Sequence, residues 1–267
     1  MKSSFLNKRA LLFIGAAAFL LGAPVYAQFG PRGGFGPPRP AKEAAPIDLT
    51  GYWVSIVTED WRFRMITPPK GDVEGVPLNQ AGRRIADAWD PDKDIAAGEQ
   101  CKSYGAPAIM RVPGRFHITW QDENTLKIET DSGKQTRLLH FGASQPPSGP
   151  PSLQGHSVAE WVMAQGGRAG RGGQGQPGAA GQRGGSLKVT TTSLTAGYLR
   201  KNGAPYSANT TVTEFYDITH ELNGSTWVVV KTIVNDPTYL TGPFITSTNL
   251  RKQVDATGWN PSACEAK

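Results

Sequence analysis

The chain has 267 residues and a formal net charge of +6, but the positive excess is confined to three stretches. Residues 1–27 carry three positive charges, residues 28–46 a net two and residues 164–185 three, which leaves −2 for the rest. A protein that reads nucleic acid concentrates basic charge on its folded surface, so this distribution argues against a nucleic-acid partner.

The first stretch reads as a signal peptide. Lys2, Lys8 and Arg9 precede an apolar run from Ala10 to Gly22, and Val25-Tyr26-Ala27 offers small residues where a signal peptidase needs them. The run is 13 residues long, short of the roughly 20 that cross a bilayer. Cleavage before Gln28 is therefore expected rather than an uncleaved anchor. No later stretch is long and apolar enough to span, so we expect a periplasmic or secreted protein with no membrane span after cleavage. In an oxidising compartment Cys101 and Cys264 form a disulfide by default. Two free thiols, or a two-cysteine metal site, are the alternatives.

Residues 28–46 are rich in Gly and Pro without periodicity, and read as a disordered linker. A single domain over 47–267 follows. Val54-Ser55-Ile56-Val57 is its first strand. Trp61 to Ile66 alternates apolar with basic residues, the period-2 pattern of a second strand. Leu78 to Trp89 is the helix candidate, with Asn79 as its cap, Ile85, Ala86 and Trp89 on its apolar side, and Arg83 and Arg84 in water. Asp90-Pro91-Asp92-Lys93-Asp94 imitates the start of a calcium loop, but Ile95 and Cys101 stand where Gly and Glu are required. A solvated loop is the better reading.

Strands then come in quick succession. Phe116–Trp120 pairs with Thr125–Thr130, and 134–141 and 155–162 continue the pattern. Residues 164–185, almost wholly Gly, Gln, Ala and Arg, read as a disordered insertion before the strand at 187–192. The longest signal is a hairpin. Thr210–Asp217 and Thr226–Asp236 are dense in β-branched and aromatic residues, and Asn223-Gly224 between them supplies the positive φ of a turn. A strand at 244–252 ends the series. Several short strands at this spacing, with one flanking helix, make an all-β antiparallel barrel the expected fold.

Two resemblances accompany this pattern. Gly51-Tyr52-Trp53 resembles the Gly-x-Trp of lipocalins, whose Trp packs at the closed barrel end beneath an Arg after the last strand. Arg251 stands in the matching position, which implies a lipocalin-like, calycin-like barrel. A broader set of marks begins with Asp48 to Trp53, Pro107 with Met110, and Gly155, Ser157, Val158 and Trp161. It continues with Gly203, Pro205, Ser207, Glu214 and Phe215, and with Thr232-Ile233 before Asp236-Pro237. Together these resemble a family of uncharacterised exported bacterial β-barrel proteins. That resemblance implies one folded unit and fits the paired cysteines, and it brings no activity.

The chain has no Gly-x-Ser-x-Gly elbow, no His-Glu-x-x-His and no Cys-x-x-Cys. Its four histidines have no local ligand spacing, so neither a metal nor another cofactor is expected. Glu214 is the carboxylate of interest. Strand alternation puts it on one face with Val212 and Tyr216. Facing inward, it would be suited to acid–base chemistry with His156 or Tyr206; facing outward, it would pair with a surface Lys or Arg. Small barrels hold ligands at the mouth, among aromatics and a few polar groups. Trp61, Arg62, Glu160 and Ser207 join the first three as mouth candidates. The leading expectation is a periplasmic barrel binding a small, partly apolar ligand. One alternative is a cofactor-free lyase, isomerase or hydrolase. Another is an envelope-associated interaction protein using the Gly-rich insertion as a contact arm. Oligomeric state has no signature in the sequence.

Overall fold

The longest ladder among the described residues is a hairpin of two ten-residue strands. In the computed structural model, which describes residues 39–142, 149–163 and 184–267, β9 (Thr211–His220) and β10 (Thr226–Asn235) pair from Thr211↔Asn235 to His220↔Thr226. Gly224 takes the positive φ, at 82°, in the loop between them. Alternation sends Val212, Glu214 and Tyr216 inward from β9, and Val228, Val230, Thr232 and Val234 inward from β10. Burying each of the large apolar side chains contributes about 1.5–3 kcal/mol.

Seven further strands close the sheet: β1 (Gly51–Ile56), β2 (Arg115–Asp122), β3 (Thr125–Thr130), β4 (Thr136–Phe141), β5 (His156–Met163), β6 (Gly185–Thr192) and β11 (Phe244–Lys252). The closed order is β1-β11-β10-β9-β6-β5-β4-β3-β2. All neighbours are antiparallel except β4 and β5, which run parallel over Leu139↔Ser157, His140↔Val158 and Phe141↔Ala159. A small β7–β8 pair (Gly197–Tyr198 with Pro205–Tyr206) lies outside the barrel. The fold is the expected all-β barrel.

One rim is plugged by Trp120, Phe141 and Trp161, whose ring centroids lie 5.1–6.4 Å apart. The chain from Arg39 docks there: Trp161 Nε1 donates to Ala41 O at 2.8 Å and Ala41 N to Asn124 Oδ1 at 2.9 Å. A short helix, α1 (Ala41–Ala44), follows. The folded unit therefore starts at Arg39, eight residues before the expected boundary at 47, because a Trp donor and an Asn side chain hold that backbone. The expected leader and the rest of the linker, and residues 164–183 of the Gly-rich insertion, lie outside the described residues. Gly185, expected within that insertion, begins β6.

The other rim carries the connections from β1 to β2, from β6 to β9 and from β10 to β11, and forms a cap. It holds α2 (Trp61–Arg64), α3 (Gln80–Ala88), α4 (Pro91–Ala96), a 3-10 turn at Lys102–Tyr104 and α5 (Ala106–Ile109). Three sequence expectations are corrected here. Residues 61–66 are no strand: Asp60 turns the backbone into the left-handed region at φ 51° and α2 follows. Residues 90–94 are no loop: Asp90 accepts from Asp92 N, Pro91 fits the first helical position, and α4 forms. Ile85 is exposed on α3 rather than packed, although Asn79 caps α3 as expected, accepting from Gly82 N at 2.9 Å. The single flanking helix thus becomes several short ones.

From Lys252 the tail returns along the outer wall to the cap. Trp259 meets the stacked Tyr52 and His117 rings edge-on, Ser262 N donates to Asp131 O at 2.9 Å, and Cys264 bonds Cys101. Trp53 is fully buried and donates to Leu49 O. The cation over its ring is Lys252, 5.3 Å from the centroid, and Arg251 is exposed. The lipocalin-like expectation was off by one residue there, because Lys252 is the residue paired with Trp53 across β1 and β11.

Candidate functional site

Glu214 faces inward, and it is paired. Arg137 on β4 donates to it through both terminal nitrogens, at 3.0 and 2.6 Å, and both side chains are 0% exposed. Tyr216 Oη adds a hydrogen bond at 3.3 Å, and Arg137 also reaches Thr191 Oγ1, which shares a 2.8 Å bond with Ser157 Oγ. Burial alone would lower the Arg137 pKa. Glu214 and Tyr216 together outweigh it and raise it. Burial and then Glu214 push the Tyr216 hydroxyl up. Phe116, Ile118, Leu126, Ile128 and Leu139 pack with Val228 and Val230 in the surrounding apolar core.

The other anticipated residues do not join it. His156 and Glu160 alternate with buried Ser157 and Ala159 and so face out of the barrel wall. His156 stacks on His140 with ring centroids 5.5 Å apart, and Glu160 pairs with Lys188. Tyr206 is fully buried in the cap. A Cβ added at Gly105 or Gly197 would meet its hydroxyl at 2.1 or 2.6 Å, so two backbones enclose it. Burial pushes that hydroxyl up in pKa. Ser207 is spent on a turn: its N and Oγ both donate to Asp236, at 2.6 and 2.8 Å. Trp61 is 65% exposed, and Arg62 lies at the surface between Asp72 and Glu74.

The cap contains a different constellation. A cavity of about 30 Å³ lies there, room for roughly two waters. Its walls include Phe63, Arg64, Ile66, Arg111, Val112 and Arg200. The three arginines are 5–7% exposed. Arg64 Nε donates to Arg111 O at 2.9 Å and its Nη1 to Glu59; Arg111 Nη2 donates to Asp60 at 3.0 Å; Arg200 Nη1 donates to Glu74 O at 2.6 Å. Arg64 Nη2, Arg111 Nη1 and Arg200 Nε are buried without a protein acceptor. Arg200 also stacks on Phe63, 3.9 Å from the ring centroid. Burial first, and then the Arg111 charge, bring the Arg200 pKa down to about 10. Burial lowers Arg64 too, opposed by Glu59 and reinforced by Arg111. Arg111 thus repels both Arg64 and Arg200 on one set of walls.

No family model, curated protein or solved structure matches this chain. The site therefore rests on its own geometry. Among the described residues no three His, Cys, Asp or Glu side chains gather as a metal-binding group, and no helix is long and apolar enough to cross a membrane.

Sequence reasoning missed Arg64, Arg111 and Arg200 because the fold draws them from three separated segments. One signal was available. Arg111 interrupts the apolar run Ala108-Ile109-Met110-x-Val112, where a charge has to be buried or ligated.

Proposed function

We propose that the protein is an exported β-barrel that binds a small, partly apolar ligand, and that the ligand enters the cap pocket rather than the barrel axis. The observation that carries this reading is the cap cavity itself, where Arg64, Arg111 and Arg200, each with one buried nitrogen lacking a protein acceptor, share walls with Phe63, Ile66, Val112 and Leu199. Apolar walls with a few aimed polar groups are the usual make-up of a small-molecule site. Buried polar groups are otherwise nearly always paired. The disulfide fits export.

The acid–base alternative asks for a free carboxylate within hydrogen-bond reach of His156 or Tyr206. Glu214 instead accepts from Arg137 and Tyr216. The contact-arm alternative depends on the Gly-rich run, of which residues 164–183 lie outside the described residues.

The test is a thermal-shift screen of the folded chain against small amphiphiles. A ligand at a hundred times its Kd should add about 2.7 kcal/mol of stability. Phe63→Ala, with circular dichroism unchanged, should abolish the shift. Shifts that survive Phe63→Ala, or a screen without any shift, would refute the cap pocket as the binding site.

A further inference from the structure

We infer that the head group taken by this pocket is a carboxylate, gripped by Arg64, Arg111 and Arg200. The inference rests on the binding reading above and adds the chemistry of the ligand. Each guanidinium offers five N–H donors and no acceptor. The cap answers part of this demand with Glu59, Asp60 and two backbone carbonyls, and leaves one buried nitrogen of each arginine unanswered. Lys201 adds a fourth cation to the cavity wall, and no carboxylate lines it.

Size selects within the oxyanions. Room for roughly two waters suits the two oxygens of a carboxylate and crowds the larger phosphoryl group. A carboxylate offers about four lone-pair positions, enough for three guanidinium nitrogens, and the planar fork of arginine matches its geometry. Ile66, exposed beside the cavity, and Val112 offer apolar surface to the rest of the molecule. The ligand class is therefore a small monocarboxylate with an apolar body. A purely structural triad would show its unanswered donors indifferent to added anions.

The experiment is calorimetric titration of the full folded chain with hexanoate, benzoate, the matched amides hexanamide and benzamide, and inorganic phosphate. It is paired with NMR of the arginine Nε–Hε groups. The acids should bind at least tenfold more tightly than their amides and more tightly than phosphate, and should move the Arg200 Nε–Hε resonance. Arg200→Gln should weaken acid binding tenfold or more while leaving the amides unchanged. If that variant fails to fold, a wild-type Nε–Hε shift with acid and none with amide still supports the carboxylate, and identical shifts with both still overturn it. Equal binding of acid and amide at the Phe63 wall would overturn the carboxylate and leave the apolar pocket standing. Tighter binding of phosphate would also overturn it. Pocket resonances unmoved by all five probes would overturn it as well, and the binding reading then stands or falls on its own screen.

Discussion

Glu214→Gln tests the centre of the barrel. The change keeps the shape of the side chain and removes its charge, leaving Arg137 buried at 0% exposure without its counter-ion. Two unit charges about 4 Å apart attract by about 4 kcal/mol at an effective dielectric of about 20. Removing one member of a buried pair costs about 3–5 kcal/mol, because the survivor stays desolvated. A domain with about 5–15 kcal/mol of stability would feel such a loss at once. Urea denaturation at pH 7 should show a lower midpoint with an unchanged slope. Replacing both residues, as Arg137→Met with Glu214→Met, should recover most of the loss, since apolar substitutes for a buried pair are often neutral or better. The double-mutant cycle, closed by Arg137→Met and Glu214→Met made singly, isolates the coupling. A loss below about 1 kcal/mol for Glu214→Gln, or simple additivity in the double variant, would refute the pair and free Glu214 for proton transfer.

Three further outcomes are expected. Reducing Cys101–Cys264, which closes a loop with sequence separation 163, should cost up to about 5 kcal/mol by the chain-entropy model; a urea midpoint unmoved by reductant would contradict that. Asn79→Ala should cost about 1 kcal/mol through the lost bond to Gly82 N, measured in the same assay. Burial and then His156 hold the His140 pKa below its ordinary value. The unfolded chain therefore binds the proton more readily, so this contribution is complete above about pH 6.5 and is lost as pH falls through the folded value. His140→Gln should flatten the acid limb of a stability-versus-pH curve, and an unchanged slope would discount His140.

The barrel was legible because its strands obey one rule. From Val212 to Ile218 and from Val228 to Val234 every second residue is Val, Ile, Tyr or Thr, and the one exception, Glu214, was visible as such. The same rule misled at Trp61–Ile66, where alternation of aromatic and basic residues also suits a four-residue helix with its arginines split between water and a pocket. Asp60 at positive φ decides the matter, and no periodicity encodes that. The partner of Glu214 was hidden because Arg137 lies 77 positions away. An arginine beside two leucines in Thr136-Arg137-Leu138-Leu139 was the available hint. The expected mouth residues are not brought together, because His156, Ser207 and Glu160 each find a local use, in a ring stack, a turn and a surface pair. Residues that look unoccupied in a string are often satisfied by neighbours that only the closed sheet provides.

The position of β1 between β2 and β11 has a consequence for biosynthesis. A ribosome delivers β1 early, and one of its two edges has no mate until the last strand has been made. Through all of that interval the nascent sheet keeps a bare margin that can recruit another molecule. A chain that stops before Phe244 would therefore be an open, self-adhesive sheet rather than a smaller barrel, and such fragments should accumulate as aggregates unless a chaperone shields that margin.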